Sequence, residues 1–371
     1  TAQWWLVLEL TNYALLLGIV TAVTSLPTLL FTLWAGDLAD RHDKRRIILI
    51  AQCVALCGSL TLAVLTDTGR ITYPAVLALV FVMGTAGAFE IPTRQSFFVE
   101  LVGPADLPNA IALNSAAFNA TRIVGPGLAG AVIATSGVAA CYAANAVSYI
   151  AVITGLLMMR LPAFTPAART TSTIENIREG LAYIRSDRLA RTLVWLVAGM
   201  SVTALPYVML LPVFARDVLD VGAPGLGSML SATGTGALVS GMALASGRLR
   251  LPRGRLIIGA GVAFALVLAA FAQSRWYPLS LVLLGLAGFT MILNNASVNA
   301  LLQSRVPDRL RGRVMSVYVF MFIGMTPLGA LQAGALARWF GAPAALTAGA
   351  CALLLILAWI VTHVPELRAA E

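Results

Sequence analysis

The chain has 371 residues, of which 59% are hydrophobic and only 11% are charged, and its mean hydropathy is +0.87. Soluble domains carry about 25% charged residues, so this composition excludes a soluble fold and a disordered chain. The formal net charge is +9. In a soluble protein such a charge would indicate nucleic acid as a partner, and the positions of the basic residues decide whether it does so here.

The chain begins in an apolar run, TAQWWLVLEL, that is shorter than the about 20 residues needed to cross a bilayer. We interpret this run as the end of a first span whose start lies outside the sequence. Eleven apolar segments of spanning length follow, and we predict them at residues 13–35, 47–66, 73–97, 107–135, 138–159, 189–214, 226–247, 256–273, 276–302, 314–339 and 342–361.

Basic residues are concentrated in alternate loops, around residues 41–46, 160–191, 248–255 and 305–313. The intervening loops hold only Arg70, Arg216, Arg275 and Arg338. Because basic loops stay in the cytoplasm, this asymmetry predicts a multi-pass protein of the plasma membrane with both termini cytoplasmic. It also explains the net charge without nucleic acid.

A polar stretch divides the predicted spans into two sets. We predict an N-terminal bundle at 1–160, a cytoplasmic linker at 161–188 and a C-terminal bundle at 189–371. Within the linker, Ser172 and Glu175 form a capping-box pattern. Apolar residues then follow at helical spacing, which predicts an amphipathic helix on the inner membrane surface: Ile174, Ile177, Leu181 and Ile184.

The two sets of spans are related in sequence. GDLADRHDKRRI after the second span is matched by SGRLRLPRGRLI after the eighth, and VGPADLPNAIAL between spans four and five by RVPDRLRGRVMS between spans ten and eleven. Parallel repeats of this kind are typical of transporters whose substrate site lies between two halves. We therefore predict an all-α membrane fold of two six-helix bundles related by a pseudo-two-fold axis, with the first helix incomplete.

The loop at residues 36–46, GDLADRHDKRR, resembles the signature loop of the major facilitator superfamily, GxLaDrxGrr, although Asp43 stands where that family usually has Gly. The sequences PTR at 92–94, LPNA at 107–110 and RGR at 311–313 are similar to the subgroup of enterobactin exporters and multidrug efflux transporters. The resemblance implies a monomeric secondary transporter that is not an enzyme and needs no cofactor.

The resemblance also implies a conformational latch between this loop and span eleven. The candidate latch residues are Gly36, Asp37, Asp40, Arg41, Lys44 and Arg45. A carboxylate at the end of a helix can meet the positive N-terminus of a neighbouring helix, which would suit Asp40. The alternative is a basic loop that only sets membrane topology.

Ionisable residues inside spans cost about 2.5–3.5 kcal/mol each, so they indicate function. Glu90 and Arg94 in span four are spaced i, i+4, so they can form a structural ion pair. Alternatively Glu90 is a proton-responsive group, with Arg94 and Arg122 modulating it. Arg122 lies deep in span five and needs a partner or water. Glu90 is its nearest candidate carboxylate, and a purely structural Arg122 remains an alternative.

Two further patterns lie within spans. Ser115, Asn119 and Arg122 share one face of span five, and Gly125, Pro126 and Gly130 after them resemble the antiporter motif GPxxGG, with Ala129 departing from it. The motif implies export by antiport; small residues permit close helix packing and Pro126 bends the helix. Asn295, Asn299 and Gln303 form a second stripe on span ten, and they either bind a polar ligand or hold helices together.

No nucleotide-binding loop and no GxSxG or HExxH motif occurs in the sequence, and its two histidines, His42 and His363, lie outside the spans. ATP-driven transport, these enzyme classes and a histidine metal site are therefore not expected. The sequence favours a secondary transporter in the bilayer that exports a small amphipathic molecule, drug-like or siderophore-like, in exchange for protons by alternating access. A lysophospholipid transporter and a non-transporting membrane receptor on the same fold are the alternatives.

Overall fold

The computed structural model describes residues 1–159, 173–246 and 251–369, and every regular element in these ranges is a helix. The helices are α1 (Ala2–Thr11), α2 (Ala14–Arg41), α3 (Lys44–Asp67), α4 (Tyr73–Met158), α5 (Thr173–Ser186), α6 (Arg188–Thr203), α7 (Tyr207–Val213), α8 (Gly222–Ala245), α9 (Arg253–Gln273), α10 (Tyr277–Arg305), α11 (Asp308–Gly324), α12 (Thr326–Phe340), α13 (Ala342–His363) and α14 (Glu366–Ala369). A π-helical turn, Phe214–Val218, extends α7.

Within the described ranges, ten helical segments are long and apolar enough to cross a membrane. The segment Leu113–Met158 contains two of the predicted spans. The chain reverses within it at Gly137, which has a positive φ of 80°. The Cys141 Sγ lies 3.5 Å from the Ala129 carbonyl oxygen, whereas twelve residues of straight helix would separate them by about 18 Å. With this reversal the segments agree with the eleven predicted spans.

Two predicted spans are not continuous helices. The span at 189–214 is broken by a turn at residues 204–206, and the span at 314–339 is broken at Met325. Proline explains both breaks, because Pro206 and Pro327 have no N–H with which to continue the helical hydrogen bonds. Hydropathy alone does not reveal such a break inside an apolar run.

Described arginines next to the basic loops bind carbonyl groups at the ends of neighbouring helices. Arg45 Nη2 donates to the Leu157 carbonyl oxygen at 2.8 Å, joining the start of α3 to the end of α4. Arg188 Nη2 donates to the His363 carbonyl oxygen at 2.5 Å, joining the start of α6 to the end of α13. Basic side chains suit the exposed carbonyls of helix C-termini. We call the end of the bundle with these arginines the cationic end, and the other the opposite end.

The predicted amphipathic helix exists as α5, but it does not simply lie on a membrane surface. Leu181 and Ile184 pack into the hydrophobic core of the protein. Glu179 forms an ion pair with Arg313 at the start of α11. At Gly180 the helices touch, since a Cβ there would lie 2.6 Å from the Arg313 carbonyl oxygen. A small residue and an opposite charge thus dock α5 on the C-terminal half. Ser172 and the side chains of Ile174, Glu175 and Ile177 lie outside the described residues.

Candidate functional site

The N-terminal helices α1–α4 contact the C-terminal helices mainly along two seams, α2 with α12 and α4 with α8. In the first seam, a Cβ at Gly18 would lie 2.5 Å from the Ala330 carbonyl oxygen. In the second, a Cβ at Gly130 would lie 2.6 Å from the Ala223 carbonyl oxygen and 3.1 Å from the Gly227 Cα. Glycine is needed at these positions because the helix backbones touch.

Two arginines join the halves at the opposite end. Arg216 Nη1 donates to Asn12 Oδ1 at 2.7 Å and to the Leu8 carbonyl oxygen at 3.1 Å, at the end of α1. The Arg338 guanidinium lies 5.7 Å from the centre of the Tyr13 ring. From the sequence, these arginines were assigned only to membrane topology. Their loop positions gave no sign that they contact the other half.

The seam between α4 and α8 does not extend to the start of the Leu113–Met158 segment. Residues 113–118, near the cationic end, are all exposed, with Leu113 at 72% and Phe118 at 61%. One helical turn has 3.6 residues, so six consecutive exposed residues leave no face of the helix covered. The described contacts of this seam therefore lie toward the opposite end.

A cavity of about 390 Å³ lies between the halves. Its lining comes from α1, α4, α7, α8 and α10, and includes Trp4, Thr121, Arg122, Pro126, Tyr207, Val208, Leu230, Thr233, Gly234 and Met291. The lining combines aromatic and aliphatic surface with one guanidinium. Such a cavity fits a small molecule with an apolar body and a polar or anionic group.

Arg122 is the charged side chain in the described lining of this cavity. Its guanidinium lies 5.8 Å from the centre of the Phe118 ring. Glu90 is not its partner: the Glu90 carboxylate is 3.3 Å from Arg94 Nε and accepts a 3.4 Å hydrogen bond from Gln52 Nε2. The structure thus has no ion pair between Arg122 and Glu90, its nearest candidate carboxylate by span order. Packing of α3 against the Tyr73–Phe98 segment gives Glu90 a different neighbour.

The hydroxyl groups of the cavity were not predicted from the sequence. Tyr207 is 1% exposed, and its hydroxyl makes no regular hydrogen bond to the described part of the chain, although Thr233 lies beside it. A buried hydroxyl without a partner is costly, so a ligand or water atom at this point would satisfy it. Tyr207 directly follows Pro206, the proline that breaks this apolar span. That proline was the sequence feature that could have indicated the position of Tyr207.

The predicted polar stripes lead away from the cavity toward the cationic end. On α4, Asn119 and Ser115 precede Arg122, and the Asn119 amide donates to the Ser115 carbonyl oxygen at 2.8 Å. On α10, residues 295, 299 and 303 continue the helix face that begins at Met291. Gln303 Nε2 donates to Asn299 Oδ1 at 2.5 Å.

Two amides of α10 contact neighbouring helices. Asn299 lies beside the Tyr318 side chain of α11, and Asn294 Nδ2 donates to the Ile257 carbonyl oxygen of α9 at 2.7 Å. Asn295 Oδ1 is buried and makes no hydrogen bond to any described residue. Of the two interpretations of this stripe, Asn295 fits the one in which a ligand or water is bound.

The candidate latch lies at the junction of α2 and α3. The surroundings of Gly36 and the side chains of Asp37, Asp40 and Arg41 lie outside the described part of the structure, so the latch itself stays a prediction. Lys44 is buried and Arg45 caps the end of α4. Asp43 Oδ1 accepts hydrogen bonds from the backbone N–H groups of Arg45 at 2.9 Å and Arg46 at 3.4 Å. Asp43 is thus the N-cap of α3, which explains its presence at this position.

The three residues that resemble the antiporter motif have different surroundings. Gly130 touches the α8 backbone, and a Cβ at Gly227 would lie 2.6 Å from the Pro126 carbonyl oxygen. A Cβ at Gly125 would meet nothing within 4 Å. The motif therefore forms part of the seam between the halves through Pro126 and Gly130, whereas Gly125 does not.

Comparison with known proteins agrees with this architecture. The multidrug efflux pump Tap of Mycolicibacterium fortuitum is 28% identical, with 98% of this chain and 90% of Tap covered. The enterobactin exporter EntS of Escherichia coli O1:K1 is 24% identical, with 90% of this chain and 79% of EntS covered. The crystal structure of the nucleoside transporter NupG superposes with a TM-score of 0.73 at 14% identity, covering 100% of this chain and 93% of NupG.

The model of the family described as transmembrane secretion effector matches residues 1–371. This match covers both halves, the linker and the cavity between the halves. The chain is a multi-pass membrane protein with a transporter fold and not an enzyme. It therefore belongs to the transmembrane secretion effector family of the major facilitator superfamily.

Proposed function

We propose that this transporter exports a small amphipathic molecule by alternating access in exchange for protons. The observation that carries the proposal is the cavity between the halves, with Arg122 amid aromatic surface and contacts that close it toward the opposite end. An apolar lining suits the body of a drug-like or siderophore-like molecule, and Arg122 suits an anionic group. The multidrug pump and the enterobactin exporter among the relatives support this substrate class.

In this proposal the cationic end faces the cytoplasm, and substrate enters the cavity from that side. The polar stripes on α4 and α10 line the approach to the cavity. Export then requires the seams at the opposite end to part while the cationic end closes. The latch residues Gly36, Asp37, Asp40, Arg41, Lys44 and Arg45 hold that closed end.

Glu90 is the proposed proton-responsive group. Its side chain is 16% exposed, whereas that of Arg94 is 66% exposed. Protonation of Glu90 would remove its charge and end the ion pair with Arg94. A Glu90 that alternates between these states would link the position of the Tyr73–Phe98 segment to proton binding.

The experiment is uptake into inverted membrane vesicles under an imposed pH gradient, with ethidium as the cationic probe and enterobactin as the anionic one. Gradient-driven uptake is expected for wild type and for Asp67→Asn, which removes an exposed carboxylate at the opposite end. Glu90→Gln is expected to lose the dependence on the gradient while keeping exchange of substrate. Unchanged gradient-driven uptake by Glu90→Gln would eliminate the role of Glu90.

The same vesicles separate the alternatives. A lysophospholipid transporter would move a fluorescent lysophospholipid between leaflets and neither soluble probe. A receptor would bind a partner and move none of the three compounds.

A further inference from the structure

A second cavity lies on the outer surface of the C-terminal half, between α6 and α13, with a volume of about 590 Å³. Its walls are Thr192, Trp195 and Leu196 on one side and Leu355, Ile356, Trp359, Ile360 and Val364 on the other, with Arg188, Arg191 and His363 at its cationic end. We call it the α6–α13 groove. The N-terminal half contributes no side chain to this lining, so the groove is separate from the cavity between the halves.

The groove is basic at its cationic end and apolar along its walls, so it matches the charged headgroup and apolar chains of a phospholipid. Its two tryptophans are largely exposed, Trp195 at 65% and Trp359 at 57%, and Leu355 between them and the membrane centre is exposed at 72%. The lining extends over nine residues of α6, from Arg188 to Leu196, which is about 12 Å along the helix axis. One leaflet of hydrocarbon is about 15 Å thick, so the groove reaches deep into a single leaflet.

Charge at the cationic end of the groove favours an anion. The two nearby carboxylates are engaged: Glu366 lies 3.5 Å from Arg188 Nη1, and Asp187 caps α6 by accepting from the Ala190 N–H at 2.6 Å. Arg191 Nη1 donates only to the Arg185 carbonyl oxygen, at 3.0 Å, within the described chain. Arg191 therefore forms no ion pair with a described carboxylate, and Arg185 adds another positive charge beside it.

We propose that the α6–α13 groove holds one anionic phospholipid from the leaflet at the cationic end. The lipid phosphate binds Arg191 beside Arg188, and an acyl chain lies between Trp195 and Trp359. Basic pockets between membrane helices recognise anionic headgroups in this way. The lipid is a resident of the C-terminal half and not the transported molecule, and this assignment does not depend on the proposed export activity.

Tryptophan fluorescence tests the proposal directly, because bromine on an acyl chain quenches tryptophan on contact. The full-length chain is reconstituted in phosphatidylcholine containing a minor fraction of brominated phosphatidylglycerol, or the same fraction of brominated phosphatidylcholine. A Trp195→Phe/Trp359→Phe protein gives the signal of the remaining tryptophans for subtraction. The expected result is stronger quenching of Trp195 and Trp359 by the brominated phosphatidylglycerol, reversed by unbrominated phosphatidylglycerol.

Arg191→Gln is expected to lower the preference for phosphatidylglycerol roughly fivefold, since one arginine near a membrane surface contributes about 1 kcal/mol. Arg255→Gln is the matched control, because Arg255 is an exposed arginine in the first turn of α9 and lies outside the groove. Its preference should equal that of wild type. Equal quenching by the two brominated lipids in wild type would overturn the proposal, and so would equal losses in Arg191→Gln and Arg255→Gln.

Discussion

Gly130 of α4 and Gly227 of α8 pack backbone to backbone across the boundary between the two halves. A Cβ at Gly130 would lie 3.1 Å from the Gly227 Cα and 2.6 Å from the Ala223 carbonyl oxygen. Both neighbours are backbone atoms, which cannot move aside as a flexible side chain can. The contact therefore requires that neither position carry a side chain while the opposite end is closed.

Replacing Gly130 by alanine is expected to prevent full closure of the opposite end. Overpacking of this kind costs about 1–3 kcal/mol, and the cost applies only to the state in which the seam is closed. We expect transport in inverted vesicles to fall at least tenfold while the protein still inserts and folds. Gly125→Ala is the control from the same motif, because its Cβ would meet nothing within 4 Å. Equal transport by the two variants would contradict the role of this contact.

The Arg122→Gln variant is expected to lose anionic substrates selectively. A hydrogen bond to a charged group contributes about 1.5–3 kcal/mol, so binding and uptake of enterobactin should fall about 10- to 100-fold. Uptake of ethidium should be unchanged or improved, which also shows that the variant is folded. Arg94→Gln removes an arginine from the same helix but not from the cavity, and it should not discriminate between the two probes. Equal losses of both probes in Arg122→Gln would indicate a structural arginine.

Asp43 stands where the family loop usually has Gly, and we explain it as the N-cap of α3. As the N-cap of α3 it satisfies two backbone N–H groups, and loss of such a cap costs about 1 kcal/mol with alanine but only a few tenths with glycine. We therefore expect Asp43→Ala to lower the thermal stability of the purified protein clearly, and Asp43→Gly, the usual family residue, to lower it little. Similar losses for both variants would mean that Asp43 acts through its charge and not as a cap.

Local patterns predicted the elements, and contacts distant in sequence decided the site. Hydropathy located the spans and helical spacing located α5, because both depend on neighbouring residues. The i, i+4 spacing of Glu90 and Arg94 likewise predicted an ion pair that the structure contains. That Glu90 contacts Gln52 of α3 and does not pair with Arg122 could not be predicted in this way, since it depends on how the spans pack.

The same limit applies to Asn12, whose contact with Arg216 lies 204 residues away in sequence. Arg275 is also an arginine in a loop at the opposite end. Nothing in the sequence of the two loops distinguishes it from Arg216. Only the packing of α1 beside the π-helical turn Phe214–Val218 brings Arg216 to the other half. The charge of a loop therefore does not show whether its arginine only sets membrane topology or also contacts the other half.

Arg216 should accordingly control how readily the opposite end opens. Its hydrogen bonds to Asn12 and to the end of α1 are partly exposed, so we assign them about 1–2 kcal/mol, which corresponds to a 5- to 30-fold change in the population of the closed state. The measurement is maleimide labelling of Leu8→Cys, a buried position beside the contact, after replacement of the native cysteines by serine. Arg216→Gln should raise the labelling rate within this range, whereas Arg275→Gln should leave it unchanged. Labelling that rises equally in both variants would show that surface charge, and not the contact between the halves, governs opening.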